Sequence, residues 1–275
     1  ELLCVYCHDN EHSRHIDHTG GSALAAEERP QDATSNPFAG LKSLLRRDPD
    51  DFDARFFKGA ALGFRGRLRS NRGEYVRAAS DGKDAMNYVL GVARSNPDNA
   101  DFQFGKGIYD YYAAVVPSRY PIAKPLMAFL PRGNAGRGLR LLEKTAAEGT
   151  YLKAEAHYFL AQIYYLFEQD YGKTREHVTW LRRTYPANPF FHAIEGRVYA
   201  RWGYWDEARQ AFGEILQRYR QRQKGYSPGL AEQALYYLAR GESVRGEHQT
   251  ALGYLNQLEA LSARTSTDTY FKVMG

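Results

Sequence analysis

Two stretches of this chain repeat one another at a fixed distance. "PFFHAIEGRVYARWGYWDEARQAFGEILQRYRQ" (189–221) is echoed by "LAEQALYYLARGESVRGEHQTALGYLNQLEAL" (230–261). Gly196 pairs with Ala239, Gly203 with Gly246, Ala208 with Ala251 and Phe212 with Leu255, each 43 residues apart. Self-similarity at this period marks a helical-repeat architecture, in which each unit buries its apolar face against the next. Gly203 and Gly246 fall where one helix should end and another begin, and a small residue at 196 lets two helices approach closely. The chain therefore reads as all-α, built of helix pairs from residue 36 onward.

Upstream, "AEAHYFLAQIYYLFEQDYGKTREHVTWLRRTYPANP" carries Ala161, which lies 35 residues before Gly196. Its glycine, Gly172, arrives four residues later than the pattern asks, about one additional helical turn. Pro186 should stop the helix that follows. "DARFFKGAALGFRG", "GKDAMNYVLGVARSNPDN" and "DFQFGKGIYDYYAAVV" read as further helices of the same kind. The order small, aromatic, alanine, aromatic at Gly196, Tyr199, Ala208 and Phe212 resembles the tetratricopeptide repeat. That resemblance covers roughly residues 36–264. It implies a TPR-like solenoid over 36–275, preceded by a mostly irregular segment, 1–35. Pro117, Pro121, Pro125 and Pro131 remove helical donors and are expected to interrupt the array. The interruption should be an ordered loop with an apolar lip of Leu126, Met127, Phe129 and Leu130.

The helical body shows no enzyme signature. "GNAGRG" (133–138) has no strand before it and no Lys-Ser/Thr after it, so it reads as a helix start and not as a phosphate loop. "DPDDFD" (48–53) lacks the glycine and closing glutamate of a calcium loop and reads as a turn with Asp as helix cap. His157, His177, His192 and His248 are scattered among helix pairs and read as packing or surface residues. No apolar run approaches the roughly 18 residues that a membrane span needs. The net charge of +5 is mild. With arginine spread along the whole chain, no nucleic-acid partner is expected.

Chemistry concentrates instead at the N-terminus, in "CVYCH" (4–8), which holds both cysteines of the chain. Two thiols three positions apart on a helical turn can meet the two vinyl groups on one porphyrin edge, and the adjacent histidine then faces the iron. Cys4, Cys7 and His8 resemble the attachment motif of c-type cytochromes. That resemblance implies one covalent haem c with His8 as proximal ligand. Half of the eight histidines fall within the first eighteen residues. His18 has the reach to act as distal ligand, with His15 the next candidate; His12 stands only one turn from His8. Two other uses stay open. Cys4 and Cys7 with two of His12, His15 and His18 would make a tetrahedral zinc set, or the two thiols could close a short disulfide.

The resulting expectation is a single-haem cytochrome on a TPR scaffold, periplasmic or extracellular, since haem attachment occurs outside the bacterial cytoplasm and Glu1 in place of Met fits a processed chain. It would carry electrons, not catalyse, and would pass them to other redox proteins. Self-association into a haem-lined filament would bring the haems near one another. The alternative is a protein–protein interaction scaffold with a zinc-stapled or disulfide-closed arm.

Overall fold

The structure is a computed structural model that describes residues 37–119 and 131–265. Among these residues all regular structure is helical, as the repeat demands. The helices are α1 (Pro37–Arg47), α2 (Phe52–Asn71), α3 (Tyr75–Ser95), α4 (Ala100–Arg119), α5 (Ala135–Glu148), α6 (Lys153–Ile163), α7 (Tyr171–Thr184), α8 (Pro189–Arg201), α9 (Trp205–Arg220), α10 (Pro228–Val244) and α11 (His248–Thr265). A π-turn, Tyr164–Glu168, continues α6. The chain divides into two compact units, one ending at Ala156 and the other beginning at His157.

In the first unit α1 packs on α2, α2 on α3, α3 on α4 and α4 on α5. Entry into α2 is fixed by the expected aspartates. Asp48 accepts from the Asp50 N–H at 2.9 Å, and Asp51 accepts from the Ala54 N–H at 2.8 Å, an Asx turn followed by a helix cap. Asn134 accepts from the Arg137 N–H at 2.8 Å and so starts α5, confirming "GNAGRG" as a helix start. A Cβ on Gly138 would lie 2.6 Å from the Tyr111 nitrogen, so the α4–α5 crossing requires glycine there. Beside it the buried Asp110 carboxylate accepts from Arg137 Nε and Nη2, at 2.6 and 2.7 Å, and from Lys106. Asp101 is buried too, and its carboxylate accepts from the N–H groups of Thr150, Tyr151 and Leu152. These are donors at the start of α6 that no helical carbonyl can take.

Pro117 does not end its helix. It lies inside α4, which runs on to Arg119. A proline in the last turn costs only its own missing donor and a local clash, so the interruption begins later than expected. Pro121, Pro125 and the apolar lip at 126–130 lie outside the described residues.

In the second unit the repeat is visible in the backbone itself. Gly203 and Gly246 take positive φ, +81° and +82°. Each closes its helix in the same way, by Tyr204 N–H to Tyr199 O and by Glu247 N–H to Glu242 O, both 2.9 Å. This six-to-one bond is the Schellman closure, which satisfies carbonyls that the helix leaves unpaired. Gly73 repeats it in the first unit, with φ +77° and Glu74 N–H to Arg69 O at 2.9 Å.

The upstream turn corrects the sequence reading. The left-handed residue is Gln169, φ +54°, and not Gly172, which lies inside α7. Gln169 stands 34 residues before Gly203, whereas Ala161 stands 35 before Gly196. The π-turn absorbs that one surplus residue, because each i→i+5 bond spans one residue more than an α-helical bond. Asp170 then caps α7 by accepting from the Lys173 N–H at 2.9 Å.

Two apolar clusters fill this unit. Phe212, Ile215, Ala231, Ala234, Leu235 and Leu258 belong to one, and Tyr158, Ala161, Val178, Leu181, Ile194 and Val198 form the other. A Cβ on Gly196 would sit 2.8 Å from the Phe212 ring, so the close approach expected at that position is real.

Candidate functional site

The sequence-derived site residues Cys4, Cys7, His8, His15 and His18, with His12, lie outside the described residues. Among the described residues no three His, Cys, Asp or Glu side chains converge as a metal centre would need, and no helix is long and apolar enough to cross a membrane.

The histidines of the helical body are packing residues, except His248, which is exposed. His157 stacks on Trp180 with ring centroids 3.8 Å apart, and its Nδ1 lies 2.9 Å from Nδ1 of His177. His177 in turn stacks against Tyr164 at the π-turn. His192 is fully buried, with Nδ1 3.2 Å from the Tyr226 hydroxyl. That hydroxyl accepts from Arg218 at 2.9 Å, which leaves its own proton for His192 Nδ1. Nε2 of His192 then carries the ring hydrogen, 3.5 Å from the Glu214 carboxylate. Burial, reinforced by Arg182 and Arg218, pushes the imidazole down to about 3, so it is neutral at physiological pH. So low a basicity, on a ring shut off from solvent, makes His192 a poor general base and leaves it a packing residue.

Electrostatics single out the other unit. Residues 37–95, from α1 to α3, carry twelve Lys and Arg against seven Asp and Glu. The chain-wide spread of arginine hid this local excess. On α2, Lys58, Leu62 and Arg65 follow at i, i+4 and i+7, and on α3 Asp84, Asn87 and Tyr88 follow at i, i+3 and i+4; each set shares one helix face. Together with Lys42 of α1 they line a cleft of ≈ 420 Å³. Gly59 keeps these helices close, since a Cβ there would lie 3.1 Å from that of Tyr88. Arg65 is fixed by a two-pronged contact with the buried Asp81, 2.6 and 3.0 Å, which Arg69 shares at 2.7 Å. Lys58 is only 7% exposed, and burial, together with Lys42 and Arg65, holds its ammonium below the ordinary lysine range. The spacing of Lys58 and Arg65 was present in the sequence as a signal, one turn either side of an apolar Leu62.

Comparison with known proteins brings in a different chemistry from the one expected. The chain is 46% identical over 52 residues to "Putative HNH nuclease YajD" of Salmonella typhimurium and 44% identical over 52 residues to the protein of that name from Escherichia coli K12. The match takes in 17% of this chain, which spans 45% of the length of these curated relatives. No family profile matches the chain, and no solved structure does.

This similarity overturns the reading as a secreted single-haem cytochrome, with its electron transfer and haem-lined filament, and equally the alternative of a bare interaction scaffold. The physical reason is that Cys-x-x-Cys followed by His places soft thiolates and an imidazole together, a donor set that haem attachment and metal sites share. Spacing alone could not separate those uses. The filament rested on the need to bring haems together, so it falls with the haem. The expectation of a non-catalytic protein conflicts with relatives that bear the name of an enzyme, and the exclusion of nucleic acid loses its basis.

Proposed function

We propose that this protein has a nuclease-like function, cleaving phosphodiester bonds of nucleic acid. The observation that carries the proposal is the 44–46% identity over 52 residues to proteins named as HNH nucleases. In this reading the matched stretch includes the Cys- and His-rich N-terminus, the part of the sequence least like the helical body. Cys4 and Cys7 with two of His12, His15 and His18 would hold a zinc ion, since two thiolates and two imidazoles are a tetrahedral zinc donor set. The remaining imidazoles, with an ordinary pKa of about 6.5, can exchange protons with a reacting water near neutral pH.

The helical body in this reading is a tetratricopeptide-type array. Support comes from the left-handed turns at Gln169, Gly203 and Gly246, spaced 34 and 43 residues apart, and from the glycine-to-aromatic contact of Gly196 with Phe212. Its role is to position nucleic acid or a partner, not to carry out the chemistry.

Purified protein incubated with supercoiled plasmid and a divalent cation tests the proposal. Nicking that chelation abolishes is expected. An intact plasmid, under conditions where the protein is folded and bound to metal, would contradict it.

A further inference from the structure

We propose that the Gly203 turn of the second unit is a stacking platform for the bases of single-stranded nucleic acid. The choice of nucleic acid rests on the nuclease reading; the platform rests on side-chain geometry alone.

Residues 201–205 read "RWGYW", so four flat side chains flank one glycine. Arg201 lays its guanidinium over the Tyr165 ring at 4.6 Å and the Trp202 ring at 5.5 Å. Arg240 of α10 lies over Trp205 at 5.6 Å and Tyr236 at 5.8 Å. Tyr204 stacks on Tyr171, centroids 4.7 Å apart and planes 13° apart, yet stays 43% exposed. Both arginines are exposed as well. Each of these three planes is therefore braced on one side by a ring while much of its surface still meets water. Trp202 and Trp205 are partly buried against the two apolar clusters, one against each, which anchors the platform. They stand three residues apart, so at most about 11 Å of backbone separates the two guanidinium stacks.

The turn itself does not call for these rings. Gly246 makes the same left-handed turn with the same closing bond, and the positions equivalent to 201, 202, 204 and 205 hold Val244, Arg245, Glu247 and His248. A second copy of the turn thus folds without one Trp or Tyr. The aromatic set is particular to Gly203, and aromatic side chains on a loop held by a rigid scaffold are placed to meet a ligand.

The ligand follows from the flatness. Guanidinium planes and aromatic rings both stack on nucleic-acid bases, whatever the base, because each base has a π-face. Asp206 and Glu207 open α9 beside the platform and repel a phosphate chain, so the contact is made through bases and not through the backbone.

The test titrates the full chain with no divalent cation added, so that binding is read apart from cleavage. The probes are a single-stranded oligonucleotide, an abasic strand of equal length and a polyglutamate peptide. The variants are Arg201→Lys and Arg240→Lys, which keep the charge and remove the plane, and Tyr204→Ala. The oligonucleotide should quench tryptophan emission, since two of the three tryptophans lie in the platform. Each variant should weaken its binding about tenfold, and the abasic strand should bind at least as much more weakly. Arg183→Ala, an exposed arginine of α7, should leave binding unchanged. Equal binding of the abasic strand, lysine variants that bind like the wild type, or no oligonucleotide binding by the folded wild type would overturn the platform. Binding of polyglutamate alone, lost in the same variants, would overturn the choice of nucleic acid. Variant-sensitive binding by a protein that never cleaves would support the platform and count only against the nuclease reading.

Discussion

Gly203 and Gly246 stand 43 residues apart and hold the same left-handed backbone conformation, each closing its helix with an identical 2.9 Å hydrogen bond. Neither has an atom within 4 Å of the place a Cβ would occupy, so glycine is required there by backbone conformation and not by space. Gly203→Ala and Gly246→Ala should each cost about 1 kcal/mol in urea unfolding. Arg222 supplies the contrast. It sits at φ +56° in the same kind of closure, with Gln223 N–H bonded to Arg218 O at 3.0 Å. Arg222→Gly should therefore stabilise the protein by a few tenths of a kcal/mol or more. Equal effects of alanine and glycine at these sites would show that the turn does not impose the conformation.

Gly196 faces the Phe212 ring, and 43 residues later the same two positions hold Ala239 and Leu255. A larger residue at the first position goes with a smaller one at the second. Gly196→Ala alone should destabilise by about 1–3 kcal/mol through overpacking. Combining it with Phe212→Leu should cost less than the two single changes added together. A double-mutant cycle of unfolding free energies checks this, and strict additivity would mean that the contact is not what restricts residue 196.

His192 makes the second unit sensitive to acid. Unfolded, its imidazole takes up a proton near the ordinary value of about 6.5, whereas folded it stays neutral down to about 3. Between those values the unfolded chain binds the proton and the folded chain does not. Stability should therefore fall as the pH drops from about 6.5 toward 3. His192→Gln, which cannot titrate, should flatten that slope even if it lowers stability at neutral pH. Urea midpoints measured across this range test it, and an unchanged slope in the variant would assign the acid sensitivity to other groups.

Much of the fold was legible because helix repeats announce themselves through residues that geometry forces. Gly203, Gly246 and Gly196 were each picked out by spacing, and each does in the structure what its spacing implied. Asp51 and Asn134 were readable as helix starts because capping depends on only a few neighbouring residues. Gly172 misled because the turn it was meant to mark is made by Gln169, a residue with no special preference for positive φ. The π-turn that shifts the register leaves no distinctive composition. Lys58 and Arg65 were missed for a different reason: charge was counted along the chain, while a cleft gathers it from helix faces and from α1, which sequence spacing does not place beside α2. At Cys4, Cys7 and His8 the residues were legible and the chemistry was not, because the same donors serve haem, zinc and disulfide alike.

Cleavage of a labelled DNA strand by the wild-type chain, compared with Cys4→Ser and with His8→Ala, tests the nuclease reading most directly. Metal-dependent cleavage by the wild type is expected, with at least one of the two variants slowed about a hundredfold or more while unfolding of residues 37–265 is unchanged. Cleavage that both variants leave intact, or none by a folded, metal-loaded wild type, would contradict it.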